Sequence, residues 1–312
     1  MSRIWGGQRL RELGKPVAGN ECIGESWELS GVEGNESVIS EGFLADNSLS
    51  EVIEVYMDEM VGKKVFDQFG TQFPLLIKFI DANDDLSIQV HPDDALAQER
   101  HNSFGKTEMW YVLDGKPDAE LISGFMPNMD KAIYLNHLQN GTLDSIMEHF
   151  PVAKGDVFFI PAGRVHAIGK GCFIAEIQQT SDITYRLFDY NRKDDQGHQR
   201  ELHTELALDA IDFQYISDAK QHPAVTPDVP CELASCNYFT TNLVKLTHAL
   251  SRDYYLLDSF VIYLCIEGSF VIEYSGGKTT VMKGETVLLP ALLSEVTLHP
   301  MPQAELLEIY IQ

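Results

Sequence analysis

Positive charge is scarce in this chain of 312 residues. There are 23 lysines and arginines against 47 aspartates and glutamates, a formal net charge of -24. Such a surface repels a phosphate backbone, so no nucleic-acid partner is expected. The same field repels small anions, so any site for one must gather its own local cations. Cysteine is also sparse: Cys22, Cys172, Cys231, Cys236 and Cys265 are odd in number and form no CxxC pair. That argues against a disulfide framework and for a reducing compartment. No apolar run approaches the ~18 residues of a membrane span. Residues 1–14 lack the apolar stretch of a secretory signal. A cytoplasmic protein with no membrane partner is expected.

What is present is mostly β. Residues 75–80, 108–113, 156–160, 173–178, 260–266, 270–274 and 286–289 are short runs rich in β-branched, aromatic and aliphatic side chains, punctuated by Gly, Pro, Asn and Asp. Regular spacing of such runs predicts a sandwich or barrel. Gly276-Gly277, between the runs 271–274 and 279–282, predicts a hairpin turn with both glycines at positive φ. Helices are expected over 48–60, with Ser48 as cap, and over 93–100, with Asp93 as cap. Two more, over 129–138 and 142–150, form a predicted helical insertion near 128–150.

Residues 222–230 read HPAVTPDVP; three prolines without apolar periodicity mark a linker. The chain is thus divided into an N-terminal unit, 1–221, and a C-terminal unit, 231–312. A weak repeat crosses that linker. Lys154-Gly155-Asp156-Val157-Phe158-Phe159-Ile160-Pro161-Ala162 aligns with Lys283-Gly284-Glu285-Thr286-Val287-Leu288-Leu289-Pro290-Ala291. The first copy runs on to Gly163-Arg164-Val165-His166, the second to Leu292-Leu293-Ser294-Glu295 with no histidine. A duplication is expected in which the second copy kept the fold and lost the chemistry.

Three segments carry candidate metal ligands. In Gln89-Val90-His91 the two polar side chains are two apart, and the period of a strand sends both to one face and Val90 to the other. Glu108 leads into the apolar run 109–113, where a carboxylate needs a reason to face inward. His166 follows a Pro-x-Gly turn that fixes its direction. Two imidazoles, a carboxylate and an amide suit a divalent cation; these donors alone would hold zinc, manganese or iron. The other eight histidines, His101, His137, His149, His198, His203, His222, His248 and His299, sit in no such pattern.

The spacings resemble the two signatures of the cupins. Glu108 precedes Gly115 by six intervening residues, and Gly155, Pro161, Gly163 and His166 follow G-x5-P-x-G-x2-H. Gln89 stands where cupins place a first histidine, and Lys170 where they end on asparagine. Gln-x-His followed by Lys106-Thr107-Glu108 resembles the type I mannose-6-phosphate isomerases. Further segments are similar to their short bacterial form: Ile4-Trp5-Gly6-Gly7, Gly24-Glu25-Ser26-Trp27-Glu28, Lys78-Phe79-Ile80-Asp81-Ala82, and Gln178-Gln179-Thr180-Ser181-Asp182 leading to Thr184-Tyr185-Arg186. The likeness is strong over about the first 200 residues and weak beyond them.

This resemblance implies a mainly β chain of two cupin jelly-roll barrels, the second degenerate. It implies one Zn2+ per chain, with another divalent metal as the alternative, on Gln89, His91, Glu108 and His166. It puts Arg186, Glu176 and Lys106 at catalytic positions and Ser87 and Lys78 at substrate-binding positions. The implied reaction is interconversion of mannose 6-phosphate and fructose 6-phosphate through a cis-enediol, on a small hexose phosphate as partner. Glu176 or a metal-associated group is the candidate base, and Arg186 or Lys106 the partner of the enediolate or phosphate. The reading from another class is a non-catalytic cupin that binds sugar phosphates. A cupin dioxygenase would ask for more histidines than Gln89 leaves. Oligomeric state is not fixed by the sequence.

Overall fold

The structure, a computed structural model, describes residues 1–19, 21–193 and 196–312. It is mainly β, as expected, and divides into two compact units that are discontinuous in sequence. One comprises Met1–Leu10, Val17–Trp27 and Ile77–His222; the other comprises Arg11–Pro16, Glu28–Leu76 and Pro223–Gln312. The segment 28–76, with its helices Leu49–Val61 and Lys63–Phe69, therefore groups with the C-terminal strands and not with the N-terminal unit. Residues 222–226 of the expected linker carry no regular structure.

Two sheets carry most of the first unit. A six-stranded sheet runs Lys220–Gln221, Val157–Ile160, Glu108–Gly115, Cys172–Gln179, Leu75–Asp81, Glu25–Ser30 in spatial order. A five-stranded sheet runs Tyr185–Phe188, Ile88–Val90, His166–Ile168, Glu120–Phe125, Met147–Pro151. Alternation sorts the side chains of the second sheet. Ile88, Val90, Val165, Ala167, Tyr185 and Leu187 pack in an outer core with Tyr134 of the helix Lys131–Gln139. Gln89 and His166 are thereby turned inward. The inner core is shared by both sheets: Trp110, Val112, Phe158 and Ile174 from the first, Leu121 and Ile168 from the second.

Helix starts follow their caps. Ser48 and Glu51 form a reciprocal capping box on Leu49–Val61, and Asp93 accepts from the Leu96 N–H at the head of Asp94–His101. The helical insertion is shorter than predicted. Lys131–Gln139 is α-helical, but 142–150 holds one 3-10 turn, Leu143–Ile146, and then the strand Met147–Pro151. Its ladder partner, Glu120–Phe125, offers that strand a hydrogen-bonded edge that local propensity does not reveal.

The second unit is a seven-stranded antiparallel sheet around the long strands Val261–Tyr274 and Glu295–Tyr310. The hairpin at 274–277 pairs Tyr274 with Gly277, so Ser275-Gly276 are its central residues, one earlier than predicted, and only Gly276 has positive φ. Inside, Glu308 is fully buried and held by Arg252 at 2.8 and 3.0 Å and by Asn242 at 2.8 Å, a satisfied ion pair.

The repeat read from sequence has a backbone counterpart. Gly155 and Gly284 both adopt left-handed backbone, φ 94° and 87°. Each N–H bonds a strand carbonyl, Val112 at 2.9 Å and Cys265 at 2.8 Å, and each turn opens a four-residue strand. Only glycine takes that conformation without cost, which explains why both copies keep the turn glycine.

Candidate metal centre

Strand pairing brings the three ligand segments together. Gln89 sits opposite His166 in one sheet, while Glu108 lies on the facing sheet. Donor atoms of His91, Glu108 and His166 all lie within 4.8 Å of one another. His91 Nε2 is 3.5 Å from Glu108 Oε2, His166 Nε2 is 3.4 Å from Glu108 Oε1, and Gln89 Nε2 is 3.3 Å from His166 Nε2. All three of His91, Glu108 and His166 are at most 1% exposed.

The second nitrogen of each imidazole is committed elsewhere. His91 Nδ1 donates to the Ile183 carbonyl at 2.9 Å and His166 Nδ1 to the Arg164 carbonyl at 2.8 Å. Both Nε2 lone pairs therefore face the cluster, the tautomer a metal ligand needs. Burial pushes His166 down to about 3 and His91 well below its ordinary value, with Lys106 adding to the effect, so both rings are neutral. Burial pushes the Glu108 carboxyl up, and the nearby Glu176 charge adds to this against the pull of Lys106.

Neither oxygen of Glu108 has a hydrogen-bond partner of good geometry, although the Lys106 ammonium stands 3.0 Å from Oε2. A buried carboxylate left in that state is costly unless a cation takes it. Donor atoms ringed at 3.3–3.5 Å fit a small divalent ion between them. Gln89 presents its amide nitrogen to His166, with the amide oxygen 3.4 Å from Ser87 Oγ. A half-turn of the amide exchanges the two atoms and offers oxygen to the cluster.

Beside this cluster lies a second polar group. Lys78 Nζ contacts Glu176 Oε1 at 2.9 Å and Gln178 Oε1 at 2.7 Å, and its ammonium lies 5.4 Å from the Trp27 ring centre. Trp110 Nε1 donates to Glu176 Oε2 at 3.0 Å, and the Trp110 ring stands edge-on to His166 at 5.4 Å. Burial works to raise Glu176, but Lys78 and Lys106 outweigh it and hold the carboxylate ionised. Burial likewise works against the charge on Lys78, and Glu176 and Glu25 overcome it.

Of the residues read from sequence, Gln89, His91, Lys106, Glu108 and His166 converge. Lys78 and Glu176 form the adjoining pair, and Ser87 touches Gln89. Arg186 sits directly opposite Gln89 on the neighbouring strand, its Nη1 donating to the Glu201 carbonyl at 3.0 Å. Sequence reading missed Gln178 and Trp110. The signal was the same alternation used elsewhere: Gln178 is two from Glu176, and Trp110 two from Glu108.

A jelly-roll interior holding two neutral imidazoles, a carboxylate and an amide defines a cupin with a candidate metal centre. Comparison narrows this class: the chain belongs to the type I mannose-6-phosphate isomerases. Residues 1–118 match the catalytic domain of phosphomannose isomerase type I, and 231–310 the mannose-6-phosphate isomerase cupin domain. Mannose-6-phosphate isomerase ManA of Bacillus subtilis (strain 168) is 35% identical over 95% of this chain and 92% of its own length. The Streptococcus mutans mannose-6-phosphate isomerase is 41% identical over 67% of this chain and 64% of its own. The crystal structure of the Bacillus subtilis mannose 6-phosphate isomerase superposes with a TM-score of 0.87 at 29% identity, covering 100% of this chain and 97% of that one.

Proposed function

We propose that the chain interconverts mannose 6-phosphate and fructose 6-phosphate, with Zn2+ held by His91, Glu108, His166 and the oxygen of Gln89. The observation that carries this is the spacing of the donors. Ligands at ~2.0–2.1 Å on a tetrahedral ion lie roughly 3.3–3.4 Å apart, close to the separations found here. A divalent cation supplies Lewis acidity toward the oxygens on C1 and C2.

The chain's own residues do the rest. Moving a hydrogen between C1 and C2 through a cis-enediol requires a group that takes a proton and returns it. Lys106 Nζ lies 3.0 Å from both Glu108 Oε2 and His91 Nε2; as an ammonium it has no lone pair for the carbon-bound proton, and its part is to donate to the developing enediolate oxygen. Glu176, the carboxylate expected as base, is kept ionised by Lys78 and accepts one hydrogen bond on each oxygen, which leaves lone pairs free, and we assign it the proton that is taken and returned. Ser87 sets the amide of Gln89, and Arg186 receives the anionic end of the substrate.

Among the described residues, the His91, Glu108 and His166 group is the one cluster of its kind, so the C-terminal unit takes a structural role in this proposal. The five cysteines are all free, which supports a cytoplasmic setting. No helix among the described residues is long and apolar enough to cross a membrane. The test is a coupled assay on chelator-stripped protein before and after reconstitution. Turnover that vanishes with the ion and returns with Zn2+ supports the proposal. Full turnover without any divalent ion rejects the mechanism, and saturable binding without product supports the non-catalytic reading.

A further inference from the structure

Beyond the strand Tyr185–Phe188 the chain turns through Tyr190 and Asn191, both in left-handed backbone at φ 53° and 55°. A bulky residue takes that conformation only at a cost in energy. The turn brings Arg192 back onto Asp189, with Nη2 2.5 Å from Oδ1. Arg200 returns to the same carboxylate, Nε at 2.7 Å and Nη2 at 2.5 Å. The residues after Arg200 then clasp Arg186. Arg186 Nη1 donates to the Glu201 carbonyl, and the His203 N–H donates to the Arg186 carbonyl at 2.8 Å.

Two guanidiniums, those of Arg192 and Arg200, thus converge on Asp189, and the Arg186 guanidinium lies close enough to feel the charge of both arginines and of the carboxylate, in a chain whose net charge is -24. Arg192 is consumed by the scaffold: it bonds Asp189 and the Asp85 carbonyl, lies 3.8 Å from Asp84, and stacks 5.3 Å from the Tyr190 ring centre. Arg186 and Arg200 are not consumed. Arg186 Nε is buried without a partner, and Arg200 Nη1 makes no hydrogen bond among the described residues. Burial together with the neighbouring charge of Arg200 presses the Arg186 guanidinium below its ordinary value. Like charges held close in a partly buried site call for an anion. Arg186 stands opposite Gln89, so the strand that carries it borders the metal donors.

We propose that Arg200, positioned by Asp189, joins Arg186 in recognising the phosphate of the substrate. The inference rests on the function proposed above and supplies what an acidic chain needs for an anionic substrate: a fixed patch of cations, two planar forks aimed at three phosphate oxygens. Asp189 is the positioning residue, since it takes Nε and Nη2 and leaves Nη1 to the ligand.

The test uses full-length, metal-loaded protein as wild type, Arg200→Ala and Arg200→Lys. Steady-state turnover of mannose 6-phosphate and calorimetric titration with inorganic phosphate are measured on each. For Arg200→Ala, KM is expected to rise about ten- to hundredfold, with a smaller fall in kcat and a matching loss of phosphate affinity; lysine should restore part of both. A purely structural role would not weaken free phosphate and KM in parallel. Phosphate affinity and KM unchanged in Arg200→Ala would overturn the proposal. Wild type that binds phosphate through Arg200 but never interconverts the sugars would sink the isomerase reading and leave the anion site standing.

Discussion

Lys78 and Glu176 are an ion pair closed off from water: Nζ stands 2.9 Å from Oε1, with side-chain exposures of 8% and 4%. Two buried charges are tolerable because Gln178 and Trp110 complete their hydrogen bonds. Removing one partner strands the other. Glu176→Ala is therefore expected to destabilise the fold by about 3–5 kcal/mol, measured by urea denaturation. A loss under ~1 kcal/mol would show that water already reaches the pair.

The same pair sets an acid limit. Glu176 is held below its ordinary 4.5, chiefly by Lys78 acting against burial. A carboxylate depressed in the folded state contributes stability that is present above pH about 4.5 and is lost as the pH falls below it. Denaturation midpoints should fall through that window in wild type. Glu176→Gln should flatten the fall, and an equally steep fall in the variant would assign it to other carboxylates.

Gln89 and the histidines should differ in weight. An amide is a weaker ligand than an imidazole, and here it also answers to Ser87. Gln89→Ala is expected to cost about 10–100-fold in metal affinity by chelator competition. Affinity equal to wild type would remove Gln89 from the donor set.

Tyr134 packs edge-on against Phe125 and Phe213, and its buried hydroxyl has no partner among the described residues. Tyr134→Phe deletes an unpaired polar group, so it should be neutral or stabilising by about 1 kcal/mol. Burial pushes this phenol up to about 12 from 10.0. Below pH 10.0 folded and unfolded chains both keep the proton; above it the unfolded chain releases it first, so stability falls toward about 12. The phenylalanine variant should lose stability less steeply over that range in thermal melts. A variant less stable than wild type would reveal a hydrogen bond to the hydroxyl.

The candidate donors were legible because each sits in a pattern that backbone geometry enforces. Gly155 and Gly163 need positive φ, at 94° and 89°, and that need fixes where His166 points. Period-two alternation gave Gln89 and His91 a common face. Residues acting at a distance in sequence were not legible. Trp110 and Gln178 look like ordinary strand residues until the pairing of Glu176 with Trp110 and Gln178 with Glu108 is known. Arg200 and Asp189 lie in a polar stretch without periodicity, and only the fold joins them. The strand Met147–Pro151 was read as helix because its ladder partner, not its composition, determines it. The segment 28–76 was assigned by its place in the chain, whereas packing groups it with residues 223–312.

In the function proposed here, His91, Glu108 and His166 share one cation on which the isomerase activity depends. Metal content by elemental analysis and mannose 6-phosphate turnover, taken on the same preparations of wild type and His166→Ala, test it most directly. About one divalent ion per chain and turnover are expected in wild type, and loss of both in the variant. A His166→Ala protein that keeps its metal and its activity would contradict it.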